Sequence, residues 1–329
     1  MKEHASRLLR AGTVAEKPKS SDLSRWAVLL LAHGAPDRLG DIPQFLLNVR
    51  SGRGLPERAV QEIIERYARI GGGSPLLKIT TQQAEALETA LGLPVYVGMR
   101  NWKPYIEDAV RKLKEDGADG VVALCLAPQN SRTSIGLYRS ALSRAVEKVA
   151  PGLQVEFVES WHDHPGLIAA FREKVASALA RAEAGAGQPV PLVFTAHSVP
   201  VKILAEGDPY ESQVRETAHR VAQAMSLSDY RVAFQSQGMT ADPWVGPTVE
   251  SLLDELAGQG HRHVVLAPIS FVSDHVEILY DIDVVFREYG EKKGISVARS
   301  ESLNGSPLFI QGLADIVASR TGILTGRSL

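Results

Sequence analysis

Two histidines stand at matching ends of apolar, β-branched runs. Trp26-Ala-Val-Leu-Leu-Leu-Ala32 leads into His33-Gly-Ala-Pro36, and Val190-Pro-Leu-Val-Phe-Thr-Ala196 leads into His197-Ser-Val-Pro200. An imidazole changes charge near physiological pH, so it can accept a proton or bind a divalent metal. Carboxylates are expected close by. After the apolar run Val264–Val272, the segment Ser273-Asp-His-Val-Glu-Ile-Leu-Tyr-Asp281 has helical spacing, with Ser273 or Asp274 as N-cap. Asp274, Glu277 and Asp281 then share one face at i, i+3 and i+7, while Val276, Ile278, Leu279 and Val284 form the apolar face. One imidazole with several carboxylates suits a borderline divalent ion such as Fe2+. Crowded carboxylates also raise one another's pKa to where they exchange protons. A lone histidine at a strand end is more often structural, and an acidic stripe more often a solvated face. Their convergence on one sheet edge makes them a candidate site.

The first half supplies a complementary set. Arg50, Arg53 and Arg66, with Tyr67, Ser74 and Tyr138, bring guanidinium and hydroxyl donors around the loop Gly71-Gly-Gly-Ser-Pro75. Arginine is the natural bidentate partner for carboxylates on a ligand, and glycines let the backbone take positive φ and approach a ligand. Trp102 and Trp244 offer flat apolar surface. Singly, each arginine reads as a surface ion pair and each tryptophan as core. Jointly they describe a cleft for a flat apolar ligand bearing carboxylates. Dinucleotide (G-x-G-x-x-G), P-loop, H-E-x-x-H and G-x-S-x-G patterns are all missing from the places that would give them meaning, so nucleotide binding and hydrolase chemistry lose support.

The elements that must hold these residues follow from the apolar pattern. Eight short runs begin near Trp26, Pro94, Asp119, Leu153, Val190, Tyr230, Arg262 and Ile295, separated by helical segments such as Arg58–Tyr67 and Ile106–Lys114. Continuous apolar strands alternating with helices predict parallel sheets covered on both faces. The fold expected is α/β: two doubly wound Rossmann-like domains, each with a four-stranded parallel sheet, facing a central cleft. An echo supports duplication, because Leu126-Ala-Pro128 precedes Ser131 as Leu266-Ala-Pro268 precedes Ser270. Residues 1–25 read as a flexible tail, 26–184 as the first domain and 185–306 as the second. Residues 307–329 read as a C-terminal helix packed back on the first domain. The crossover is placed at Glu183–Pro189, and an insertion with two helices and the glycine loop precedes the second strand.

At 329 residues the chain has room for two cores without a metal or disulfide staple. Hydrophobic and charged contents of 44% and 22% are those of a soluble globular protein, and a net charge of −2 gives no case for nucleic acid. The lone Cys125, inside an apolar run, is expected to be a buried hydrophobe and excludes an iron–sulfur cluster held by one chain. No apolar stretch has the length of a membrane span and the N-terminus lacks a signal-peptide core, which predicts a cytoplasmic protein.

The strings Tyr67-Ala-Arg-Ile-Gly-Gly-Gly-Ser-Pro75, Ala196-His-Ser-Val-Pro200, Gly207-Asp-Pro-Tyr210, Gln235-Ser-Gln-Gly238, Pro243-Trp-Val-Gly-Pro247 and Ser273-Asp-His-Val-Glu277 resemble ferrochelatases, in the family's order, from about Trp26 to about Ser319. The resemblance implies insertion of Fe2+ into a porphyrin during haem synthesis, with loss of two pyrrole protons. It implies iron as substrate, His197 and Glu277 as the metal and proton-handling pair, and His33, Arg50, Arg66, Tyr67, Ser74 and Tyr138 as porphyrin contacts. His33 stands where some members carry a tyrosine that touches product iron, and Asn101 where some carry histidine. The short span between Arg50 and Tyr67 lacks the longer apolar lip of membrane-associated protoporphyrin enzymes, so the chain is most similar to the soluble coproporphyrin III type. Protoporphyrin IX remains the alternative substrate. A cobalt or nickel tetrapyrrole chelatase and a non-catalytic porphyrin carrier are lesser alternatives. An iron donor or a downstream haem enzyme are the implied protein partners.

Overall fold

The structure is a computed structural model and describes residues 25–238 and 242–322. The tail expected for 1–25 lies outside the described residues, except for Arg25, as does the end of the last segment, 323–329. The elements run β1 (Trp26–Ala32), α1 (Ile42–Val49), α2 (Glu57–Arg69), α3 (Leu76–Leu91), β2 (Val95–Met99), α4 (Ile106–Glu115), β3 (Gly120–Cys125), α5 (Ile135–Val149), β4 (Gln154–Val158) and α6 (Pro165–Ala186). They continue as β5 (Leu192–His197), α7 (Val201–Ala205), α8 (Tyr210–Ala224), β6 (Arg231–Gln235), α9 (Val249–Gly258), β7 (His263–Pro268), α10 (Val276–Leu279), α11 (Arg287–Lys292), β8 (Ser296–Arg299) and α12 (Pro307–Thr321). Between α10 and α11 the chain makes a π-helical segment, Asp281–Phe286.

Two four-stranded parallel sheets form, ordered β2-β1-β3-β4 and β6-β5-β7-β8. The second repeats the first strand for strand. In each, the central strands are almost wholly buried while the edge strands are partly open. That is why the central runs read as continuous apolar stretches rather than alternating ones. The order reverses beside β1 and beside β5, and the carboxyl end of a strand at such a switch point is where doubly wound sheets bind ligands. His33 follows β1 and His197 ends β5, so duplication carries both imidazoles to equivalent corners.

Helices α4 and α5 cover the outer face of the first sheet, and α9, the π-helical segment and α11 cover the outer face of the second. Between the sheets the helices are exchanged. Helix α6, which leaves the first sheet, packs on β7, β8 and α8; helix α12, which leaves the second, packs on α3 and β3. One apolar cluster therefore runs through from Val28, Leu30 and Leu124 to Phe194, Val265 and Ala267 by way of Phe171, Phe309 and Leu313. Polar seams flank it: Gln83 on α3 donates to Ser273 Oγ and the Asn304 carbonyl, and the buried Asp208 accepts from Ser131 Oγ and Arg132 N–H.

Two expectations differ in detail. The segment before β2 holds three helices, because α1 is a separate short helix begun by Pro43. The stretch Glu183–Ala186 stays helical, since alanine favours helix, and Gly187 (φ 68°) ends it in the left-handed conformation.

Helices α6 and α12 cross at a pair of glycines: a Cβ on Gly166 would lie 2.5 Å from Gly312 Cα. Gly166→Ala should therefore destabilise the fold by about 1–3 kcal/mol through overpacking. Gly185→Ala, on the same helix with nothing within 4 Å, should stabilise it by about 0.5–1 kcal/mol. Urea midpoints that move in the same direction for both variants would contradict the close crossing.

Candidate active site

His197 and Glu277 meet. His197 Nε2 lies 3.8 Å from Glu277 Oε2, and their side chains are 37% and 35% exposed, walled by protein on most sides but open to the cleft. The geometry assigns the lone pairs. His197 Nδ1–H donates to the Ser198 carbonyl, which can only accept, so in the neutral ring Nε2 carries the lone pair that faces Glu277. The backbone N–H of His197 donates to Ser270 Oγ, and the buried Tyr210 phenol interacts with the same serine.

Glu277 does not sit on the helix in the way its spacing suggests. His275, not Ser273 or Asp274, caps α10: its Nδ1 accepts the Glu277 N–H, with φ −158° at the cap. Asp274 is turned away, accepting from Arg299, Ser302 and Asn304, and serves to pin the loops beneath the site. The acidic stripe thus reduces to Glu277 and Asp281. These two stay together because the backbone loosens just beyond Glu277, where Val285 N–H reaches Tyr280 O in an i→i+5 bond. The buried apolar face is Ile278, Ile282 and Phe286 rather than Val276, Leu279 and Val284.

Electrostatics separate the two carboxyls. Burial opposes charge on Glu277, but His197, then His275 and His33, outweigh it and hold the carboxyl below its ordinary range. Burial pushes Asp281 up to about 6; Glu277 adds to the rise, and a hydrogen bond from Ser236 Oγ (2.7 Å) tempers it. Near neutrality the site holds one firm carboxylate and a second one close to its titration point.

The first sheet supplies the facing wall. Both His33 nitrogens are engaged: Nδ1–H donates to Gly34 O (3.0 Å) and Nε2 accepts from Asn101 Nδ2 (3.0 Å). The Glu277 charge bears on both His33 and Tyr67, which brings these first-half residues to the same site. Tyr67 is buried, and burial first, then Glu277, keeps its phenol protonated. Arg50 and Arg53 hold each other's backbone carbonyls through Nε, and among the described residues no carboxylate is bonded to either. Tyr138 is buried under Arg100, whose guanidinium lies 5.3 Å from its ring centre. Ser74 is also buried, its Oγ accepting Leu76 N–H where α3 begins. The glycine loop approaches the chain itself: a Cβ on Gly73 would lie 2.1 Å from Asp37 O. Trp102 is a buried filler beneath the His33 loop, edge-on to Phe45, while Trp244 is half-buried over Gly238.

Comparison with known proteins decides the family. The ferrochelatase family profile matches residues 25–321. The chain is 47% identical over 311 residues to the ferrochelatase of Acidobacterium capsulatum, covering 90% of this chain and 94% of that one. It is 36% identical over 301 residues to the coproporphyrin III ferrochelatase of Geobacillus kaustophilus, covering 89% and 95%. The chain belongs to the ferrochelatase family. It is a lyase-class enzyme that inserts iron into porphyrin. Its fold is also that of the sirohydrochlorin chelatase of Bacillus subtilis subspecies spizizenii solved with cobalt, with a TM-score of 0.59 at 11% identity over 91% of this chain and 96% of that chain. Among the described residues, no helix is long and apolar enough to cross a membrane.

This ferrochelatase has site residues to which its sequence assigned no role. Gln235, 2% exposed, donates to the Glu277 carbonyl and fixes the start of α10. Ser236, at φ 58°, aims its hydroxyl at Asp281. Both lie in the Gln235–Gly238 string, and Tyr210 lies in Gly207–Tyr210, so the motifs carried the signal without the roles. A clasp also crosses the cleft: Arg69 Nη2 on α2 reaches Glu288 Oε1 on α11 (2.5 Å), and Arg66 and Arg69 both lie over the Tyr280 ring.

Burial foremost, and then the charge of Arg100, lowers the His33 pKa from 6.5 to about 4. The unfolded chain then binds a proton that the folded chain refuses between those values. This contribution to stability is full above pH 6.5 and declines as pH falls toward 4. His33→Asn should flatten the fall in urea midpoint between pH 7 and pH 5. Equal slopes for variant and parent, or a His33 ring titrating near 6.5 by NMR, would show the imidazole to be ordinary.

Proposed function

We propose that the enzyme inserts Fe2+ preferentially into coproporphyrin III, with His197 and Glu277 handling metal and protons. The observation that carries this reading is the His197 lone pair facing an ionised Glu277 at 3.8 Å on the cleft wall. A porphyrin between the two sheet edges presents two pyrrole N–H groups toward that wall. His197 Nε2 takes up a pyrrole proton as iron enters from the Glu277 side, and Glu277 passes protons outward to Asp281, whose pKa of about 6 suits a relay near neutral pH. Glu277 also offers the carboxylate oxygen that a partly dehydrated ferrous ion needs on its way in. Bending of the macrocycle between the walls tilts the pyrrole lone pairs toward the metal.

The remaining assignments rest on the same seating. Arg50 and Arg66 meet propionates, while Tyr67, Ser74 and Tyr138 line the ring. His33 faces the opposite side of the macrocycle, with its Nε2 held by Asn101 and so directed away from iron ligation. Preference for coproporphyrin is supported by the four propionates of that substrate, which suit arginines such as Arg50 and Arg53 that meet no carboxylate among the described residues. The name of the Geobacillus relative points the same way. With one cysteine in the whole sequence, buried as Cys125 with its thiol pKa raised by burial, no cluster chemistry enters the reading.

His197→Ala should lower kcat for anaerobic Fe2+ insertion by about 10²–10⁴-fold while porphyrin still binds, as read by fluorescence quenching. Insertion at the parent rate would remove His197 from the chemistry. In the parent enzyme kcat/KM should favour coproporphyrin III over protoporphyrin IX, and a preference for protoporphyrin would overturn the substrate assignment alone.

A further inference from the structure

Outside the cleft, a second concavity opens on the far side of the first sheet. Its volume is about 400 Å³, and Arg100, Tyr105, Glu107, Arg144 and Lys148 line it, a size in the range of small-ligand pockets. None of His33, His197, Glu277 or Asp281 borders it. It lies where the end of β2 meets the first turn of α4 and the middle of α5, so its polar groups converge from three separate elements.

The charges there do not balance. Glu107 is the single carboxylate in the lining, and it is already bonded by Lys148 Nζ through both oxygens (3.0 and 2.9 Å) and by Arg111 Nη2 (2.8 Å). Among the described residues, neither Arg144 nor the Arg100 side chain has a hydrogen-bond or ion-pair partner, and Arg100 Nε is buried with its hydrogen unmet. For Arg100 this is costly, because a buried donor without an acceptor loses its hydration for nothing in return, whereas the exposed Arg144 stays hydrated at the pocket mouth. Tyr105 adds a further donor: its phenol oxygen accepts from Asn48 Nδ2 (3.0 Å), which leaves its own O–H to give. Every uncommitted polar group in the lining donates; Arg144 is exposed and Arg100 lies over the Tyr138 ring, and neither guanidinium meets a carboxylate among the described residues.

We infer that this pocket is an anion site for a small dianionic oxyanion, inorganic phosphate or a phosphomonoester. A tetrahedral phosphate offers enough oxygens to satisfy two guanidiniums and a phenol arriving from different directions, and its two charges match two arginines that meet no carboxylate among the described residues. A single carboxylate supplies neither the oxygen count nor the charge.

Calorimetric titration of the full chain with inorganic phosphate, at ionic strength held constant with chloride, tests the assignment. Saturable binding is expected in the parent and in Arg181→Ala, a distant exposed control. Arg144→Ala should weaken binding by about tenfold or more, with Arg144→Lys intermediate and iron insertion without phosphate unchanged in each variant. Glycerol 3-phosphate in place of phosphate separates the two sources: tighter binding identifies a phosphomonoester ligand, equal or weaker binding the free ion. No saturable phosphate binding in the parent, or equal binding in parent and Arg144→Ala, would overturn the inference. A parallel effect of sulfate, phosphate and chloride on thermal midpoint in all variants would reduce it to general salt stabilisation.

Discussion

An ionised carboxylate set beside imidazoles in a protein wall must be compensated where water is scarce, and the cleft is organised around making it hold. Charge taken out of water must be compensated, or the group protonates. Glu277 is compensated by His197 beside it, by the His275 cap beneath it and by Gln235, which fixes its backbone. Each imidazole in turn has its tautomer set by a backbone or amide partner, which leaves His197 with the one lone pair that faces the carboxylate.

Fold duplication delivers these groups with little additional machinery. Strand order repeats, so a histidine after β1 and a histidine at the end of β5 arrive at equivalent switch points. What differs between the halves is what surrounds each ring. His33 is braced by Asn101 and packed edge-on to Phe45, while His197 Nε2 meets no donor among the described residues and its ring lies beside Phe271. One half supplies a fixed wall with arginines at its rim, and the other supplies the reactive pole.

Much of this was legible in the residues. All eight strands begin within two positions of the apolar runs that announced them, most plainly the four central ones, because strands buried on both faces have few other ways to be written. His197 and Glu277 were found together because strand ends converge whatever their separation in sequence. The helix after β7 was legible only in part. Nothing in Ser273-Asp-His says that the histidine will cap, and Asp274 was drawn off by Arg299, Ser302 and Asn304, partners that lie later in the chain. Helical periodicity assumes 3.6 residues per turn, so a π-helical segment shifts its buried face to Ile278, Ile282 and Phe286. The roles of Gln235 and Ser236 depend on a tertiary neighbour, and local pattern is blind to that.

The exchange of α6 and α12, pinched together at Gly166 and Gly312, gives the two lobes a common interior. Lobes joined by a dry, close-packed seam do not swing as hinged halves do, since protein interiors yield little under load. The distance between the histidine-bearing strand ends is then a property of the scaffold, and the α2 rim is tied across to α11 by the Arg69–Glu288 clasp. A flat, stiff guest gripped by jaws of set gauge must itself give way, so the work of deforming it is drawn from binding at the rim while the frame stays still.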